Sequence, residues 1–323
     1  MQNAAARTGD AQVKDIAGAD AFSGALRNKD RKYPDRGDPR WRQGMIFPKV
    51  TPGFTLSAGE SVFTIGSCFA RNVEKALLDR GLAVPTAHFT APNEEAPGQP
   101  NRVLNQYNPG TMLQCVRSID APVDRKGLYP VADGQVLDCL LATGSRPVSA
   151  IRGLERRQQI RDLYASGLGN SGIVVVTLGL VEAWYDRDAE VYLNEAPSRK
   201  LLTAHPDRFL FRQLNMSQCQ DLVFDMLDHL VAGGRRKVVL TVSPVPLQVT
   251  FAGGDATIRN AYSKSVLRVV AELAATEFPQ VDYFPSYEII TTLGLTGYGE
   301  DNVHVRPAIV DEVIGYMTSC YVA

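Results

Sequence analysis

Two six-residue runs, IVVVTL at 173–178 and KVVLTV at 237–242, constrain the fold of this chain more than any other feature. Nearly unbroken β-branched and aliphatic residues, without polar alternation, mark strands covered on both faces, as in a parallel sheet between helices. Each run ends abruptly, at Gly179 and at the Ser243-Pro-Val-Pro246 break. Shorter runs of the same kind stand at 62–65, ended by Gly66, and at 281–284. Helical spacing fills the intervals. At 69–80 the apolar residues Phe69, Val73, Ala76 and Leu77 share a face and Gly81 supplies a stop. Met112, Leu113 and Val116 mark a second helix, and Leu222, Met226, Leu227 and Leu230 a third over 216–232, stopped by Gly233 and Gly234. Further helices are predicted over 261–277 and 308–316. Strands alternating with helices predict an α/β fold with a parallel sheet and helices on both faces. In such sheets the binding crevice lies beyond the carboxyl ends of the strands. Ser67, Gly179, Ser243 and the segment after Tyr287 are therefore expected at one edge.

The remaining segments are less regular. Residues 1–45 are polar and, over 28–42, highly charged, which predicts an extended N-terminal arm anchored by Trp41 and Phe47, ahead of a single domain over 46–323. Residues 82–84 read as a second strand, 85–100 as a Pro- and Gly-rich loop, 120–150 as irregular or hairpin-like, 154–164 as a charged surface helix and 186–211 as an insertion. His88 and His229 are expected on the surface or in packing. Lys plus Arg number 34 against 35 Asp plus Glu, a balance that gives no footprint for nucleic acid or an anionic membrane. The five cysteines show no C-x-x-C spacing, the first fifteen residues lack the apolar core of a secretory signal, and no run is long enough to span a bilayer. A cytoplasmic protein with reduced thiols is expected. Phosphate-loop, dinucleotide and clustered metal-ligand patterns are missing from the sequence, so no cofactor and no metal are expected.

The chemistry concentrates at Ser67, where a strand becomes a helix. The first amides of a helix have no intrahelical partner and the dipole is positive there, so an anion such as a tetrahedral oxyanion is favoured. The alternative is that Ser67 caps the helix. Cys68 is a rival nucleophile, its thiol expected to be acidified by the same helix end. The turn Asn105-Gln-Tyr-Asn-Pro-Gly110 offers Asn108 either as a cap or as an amide aimed into a cleft. Near the C-terminus, Asp301 precedes His304 by three residues. A carboxylate so close can fix one ring nitrogen and leave the other to take a proton from a hydroxyl.

Several ordered blocks carry a family resemblance: GSCFA at 66–70, YNPGTML at 107–113, VVVTLGLVEAW at 174–184, VVLTVSPVPL at 238–247, SKSVLR at 263–268, VDYFPSYEI at 281–289 and DNVHVRP at 301–307. PDRGDPRWR at 34–42 resembles the upstream segment of the same family. The chain resembles the bacterial GSCFA family, itself similar to SGNH, or GDSL-like, hydrolases. The resemblance implies a three-layer α/β sandwich with a central, mostly parallel sheet, flavodoxin-like in outline. It also implies Ser67 as nucleophile, His304 as general base and then acid, and Asp301 as orienting carboxylate. SGNH enzymes place an asparagine donor in a G-x-N-D block, whereas Val181 occupies that position here. The Gly179 amide remains available, Asn108 or Asn72 is a candidate replacement donor, and Glu182, acceptor-only when ionised, is expected to hold a loop or a substrate hydroxyl. The implied activity is a serine esterase on an acyl ester of a carbohydrate, the partner being a small-molecule or glycan ester. An acyltransferase with the same triad, and a catalytically weak module binding a glycan or nucleotide sugar, are the alternatives.

Overall fold

The four apolar runs form one parallel sheet. The computed structural model describes residues 15–57 and 59–322; the earliest part of the expected arm, 1–14, and nearly all of the segment searched for a secretory signal lie outside the described residues. The chain divides into two units, 1–49 and 50–323. In the described part of the first, a helix at Gly18–Arg27 and a two-stranded antiparallel hairpin, Trp41–Arg42 with Met45–Ile46, replace the extended arm expected from composition. The Arg42 guanidinium lies 5.5 Å from the centroid of the Phe47 ring.

In the second unit the order along the chain is β1 (Val62–Gly66), α1 (Cys68–Leu78), α2 (Pro109–Arg117), α3 (Ala150–Asn170), β2 (Ile173–Leu178), α4 (Met216–Val231), β3 (Lys237–Val242), α5 (Ala256–Glu277), β4 (Val281–Tyr283), α6 (Ser286–Thr291) and α7 (Pro307–Tyr321). The strands lie side by side as β1-β2-β3-β4, all parallel, with Val176 in register with Ile65 on one side and Leu240 on the other. The predicted strand at 82–84 shrinks to one parallel bridge, Ser61 to Ala83, closed by Val62 N–H to Ala83 O at 2.8 Å. That bridge has a topological consequence. The chain leaves β1 outward to residue 83 and returns across β1 to lay down β2, so the winding direction reverses between these two strands. A crevice opens where connections diverge in this way.

Side-chain alternation divides the core. Phe63, Ile65, Val174, Val176, Leu178, Val238, Leu240 and Val242 share one cluster with Met112 of α2, Tyr164 of α3, Met226 of α4 and Leu267 of α5. The opposite face lies against α1, on which α7 packs in turn. Together these make a three-layer α/β sandwich. Each Val, Leu or Ile so buried contributes roughly 1.5–3 kcal/mol over exposure.

Several boundaries move for local reasons. Asp255 accepts from Thr257 N–H, so α5 starts five residues before its apolar face does. Asn215 and Gln218 form a reciprocal capping box that starts α4. The charged segment at 154–164 is the middle of a longer helix, and it is not a surface helix. Arg156 is fully buried, bonded to Glu95 and Asp138, and Arg157 pairs with Asp138. The irregular 120–150 region contains a three-stranded antiparallel sheet. A second small sheet joins Phe209–Gln213, Glu182–Asp186 and Val191–Leu193. No helix among the described residues is long and apolar enough to cross a membrane.

Candidate functional site

Gly66 makes the junction possible. Its φ is +149°, and a Cβ there would lie 2.6 Å from the Thr177 carbonyl oxygen, so only glycine lets β1 approach β2 this closely before turning into α1. Ser67 follows, 4% exposed, at the N-cap position of α1. It does not cap the helix. Its Oγ donates instead to Ser243 Oγ at 3.4 Å, across the carboxyl ends of β1 and β3. Ser243 is buried, and its Oγ also accepts from Val245 N–H at 3.2 Å.

A cavity of about 620 Å³ opens over this edge, lined by Ser67, Cys68, Gly179, Ser243 and His304, by Gln99, Arg102, Asn105 and Tyr107, and by the 245–249 loop. The segment after Tyr287, expected here by topology, does not line it. Ser286 hydrogen-bonds Thr241 and the Val242 carbonyl beneath the sheet edge, which fixes α6 in the scaffold.

Gly179 sits against the 105–108 turn. Leu180 N–H donates to Tyr107 O at 2.8 Å, and a Cβ on Gly179 would stand 2.6 Å from that same oxygen. Helix α5 holds this loop from below: Lys264 Nζ donates to Gly179 O at 2.8 Å and Ser263 Oγ accepts from Val181 N–H at 3.0 Å. No backbone acceptor takes the Gly179 N–H among the described residues. Val181 itself is fully buried in the apolar core and does not line the cavity.

On the far side, Asp301 Oδ2 accepts from His304 Nδ1 at 2.5 Å, while its Oδ1 accepts from the N–H groups of Val303 and His304 at 3.0 Å each. The hydrogen bond from His304, then these amides, hold the Asp301 carboxyl well below the usual carboxylate range. The pair is exposed, His304 at 66% and Asp301 at 46% of the side chain. Tyr298 anchors the turn by donating to Pro244 O at 3.0 Å, which ties it to the loop that carries Ser243. No hydrogen bond joins Ser67 to His304; both face the one cavity.

Three candidates from the sequence belong elsewhere. Asn108 caps α2, with Oδ1 accepting from Thr111 N–H and Nδ2 donating to Leu193 O, so both ends of its amide are committed. Asn72 is exposed on α1 and does not line the cavity. Glu182 accepts from Thr250 Oγ1 at 2.6 Å and Phe251 N–H at 3.0 Å, and so pins the loop after β3 from outside the cavity. The expected acidification of Cys68 is also reversed. Burial pushes its thiol up, outweighing the attraction of Lys264 and of the helix amides.

Sequence reasoning passed over Asn105, Arg102 and Lys264. Asn105 is buried, lines the cavity, and its Oδ1 has no hydrogen-bond partner. It stands in a polar turn just before a proline-led helix, where an asparagine reads as a cap and not as a site. Lys264 did carry a signal, because it falls on the same helical stripe as Leu267, Ala271 and Ala274, all buried.

A family model described as the GSCFA family matches residues 61–316, from the start of β1 into α7 and across every residue of this site. No curated protein matches the chain. The match spans most of the sequence, and the chain belongs to the GSCFA family.

Proposed function

We propose that this GSCFA-family protein is a serine esterase related to SGNH hydrolases, cleaving an acyl ester of a carbohydrate. One observation carries the reading. Ser67 and His304, from opposite ends of the chain, face a single cavity at the topological switch point, and Asp301 occupies one ring nitrogen of the histidine. With Nδ1 so occupied, Nε2 is the nitrogen left for proton transfer.

Ser67 Oγ attacks the acyl carbonyl and passes its proton to His304 Nε2; the tetrahedral intermediate collapses, and the same proton leaves on the sugar alkoxide. Water then gives His304 a proton as it attacks the acyl-enzyme, and Ser67 recovers that proton as the acid departs. This sequence requires the Ser67 to His304 hydrogen bond to form in the substrate complex, where catalytic hydrogen bonds commonly tighten. The oxyanion is bound by the Ser67 and Gly179 N–H groups and by Asn105 Nδ2, which takes the part for which Asn108 or Asn72 was the candidate. Each such donor is typically worth about 3 kcal/mol of barrier.

Intact-mass analysis after exposure to a fluorophosphonate tests the reading. One adduct is expected on wild type and on Cys68→Ala, and none on Ser67→Ala or His304→Ala. No adduct on wild type, under conditions that label a known serine esterase, overturns it.

A further inference from the structure

Arg102 is the one partly buried arginine among the described residues whose guanidinium makes no hydrogen bond or ion pair. The others in that class are all engaged: Arg40, Arg152, Arg208 and Arg268 by carboxylates, Arg161, Arg236 and Arg259 by backbone carbonyls, and Arg212 by the Tyr192 hydroxyl. Partial burial of a cation without a partner costs free energy that a folded chain ordinarily recovers through a counter-charge. Arg102 faces the cavity, and the cavity wall contains no aspartate or glutamate. Glu195, whose carboxylate lies near enough to interact electrostatically with Arg102, makes its hydrogen bonds to Gly144 N–H, Ser145 N–H and Thr143 Oγ1 and none to the guanidinium. Fully buried Lys264 underlies the same floor through Gly179. The cavity wall at Arg102 therefore carries a positive charge that no hydrogen bond or ion pair within the described chain engages.

We infer that Arg102 seats an anionic group, a carboxylate or a phosphate, borne by the ester substrate. This rests on the esterase reading and names its substrate class: an acylated acidic or phosphorylated sugar, held by its charge while the neutral ester lies over Ser67. A planar guanidinium is suited to this because it presents paired donors to a carboxylate or phosphate edge. Gln99, whose carbonyl accepts from Arg102 N–H at 3.0 Å, adds an uncharged side chain on the same wall.

The test uses binding and needs no turnover. The full chain and its Ser67→Ala variant are titrated at matched ionic strength with glucose, glucuronate and glucose 6-phosphate, and melting temperature is followed. The charged sugars are expected to raise it in a saturable way and glucose is not; the tighter of the two identifies the anion. Arg102→Gln is expected to weaken that binding at least tenfold. Arg102→Lys, which keeps the charge without the planar fork, is expected to weaken it less. Charged sugars that bind no better than glucose, or an Arg102→Gln protein that binds them as wild type does, would overturn the inference. Fluorophosphonate labelling is read on the same preparations. Lost labelling with retained anion binding tells against the esterase alone, and the converse tells against the anion seat alone.

Discussion

A serine at the N-cap of a helix ordinarily caps it, yet Ser67 directs its hydroxyl to Ser243 and leaves the first turn of α1 without a side-chain cap. That arrangement gives neighbouring residues defined and separable tasks. If Asn105 supplies the third oxyanion donor, Asn105→Ala should lower kcat for an acyl ester by about 100-fold with little change in KM, because the lost contact exists only in the transition state. A drop confined to KM would assign Asn105 to ground-state binding. Lys264 makes a different prediction, read in stability. Burial pushes its amine down to about 7, whereas an unfolded lysine stays protonated to beyond about pH 10. Between those values the unfolded chain binds the extra proton, so stability rises with pH across that window; below it both states are charged and the burial cost is complete. Wild type should therefore gain roughly 3 kcal/mol between pH 7 and 9.5 relative to Lys264→Met, which has nothing to titrate there. Urea denaturation at the two pH values measures this, and equal gains would mean that the amine stays protonated in the fold across the window, as a well-solvated one does.

The elements most legible in the sequence were those whose environment is uniform. Residues 173–178 and 237–242 are buried on both faces and read so from composition alone. Helix α3 misled because its burial is ionic: arginines that look like a wet face are paired with Glu95 and Asp138, which come from distant segments and leave no local trace. The site divides in the same way. Ser67, Gly179, Asp301 and His304 were legible because each follows a strand end or sits beside its partner in sequence, whereas Asn105 and Arg102 acquire meaning only once the 99–107 segment is folded over the sheet edge. Gly66 connects the two levels. It is a strand residue whose dihedral and contact with Thr177 set where Ser67 points. Gly66→Ala is expected to cost about 2–4 kcal/mol, from a strained positive φ combined with a backbone clash, as read by chemical denaturation. Gly81→Ala, also at positive φ but with open space around its Cβ, should cost about 1 kcal/mol. Similar costs at the two positions would show that dihedral strain alone, and not close approach of β1 to β2, demands glycine at 66.

At the scale of the whole molecule, the cavity wall depends on ions that never touch it. Glu95 accepts from Arg152 Nε at 2.5 Å and from Arg156 Nη1 at 2.8 Å, and Asp138 accepts from Arg157 Nη2 at 2.6 Å and more distantly from Arg156 Nη2 at 3.5 Å. These contacts bind three parts together: the 85–100 loop, the small sheet that contains Asp138, and α3. Pro97 and Gln99 on the cavity wall come from the loop that Glu95 ties down. Arg156 is the hub, with no exposure and a carboxylate on each side, while Arg152 keeps 23% of its side chain in solvent. Burial decides which of the two matters. Removing Arg156 leaves Glu95 with Arg152 and Asp138 with Arg157, but takes away the buried cation between the two carboxylates, so Arg156→Met should lower stability by about 3 kcal/mol. Arg152→Met leaves Glu95 still paired with Arg156 and should cost about 1 kcal/mol or less. Urea denaturation of the two variants at neutral pH separates them. If the wall is set by this network, Arg156→Met, studied at a temperature where it remains folded, should also bind charged sugars more weakly than Arg152→Met does. Equal stability losses would place the anchoring of the loop in its apolar contacts, such as buried Ala91 and Ala96, and not in the ions.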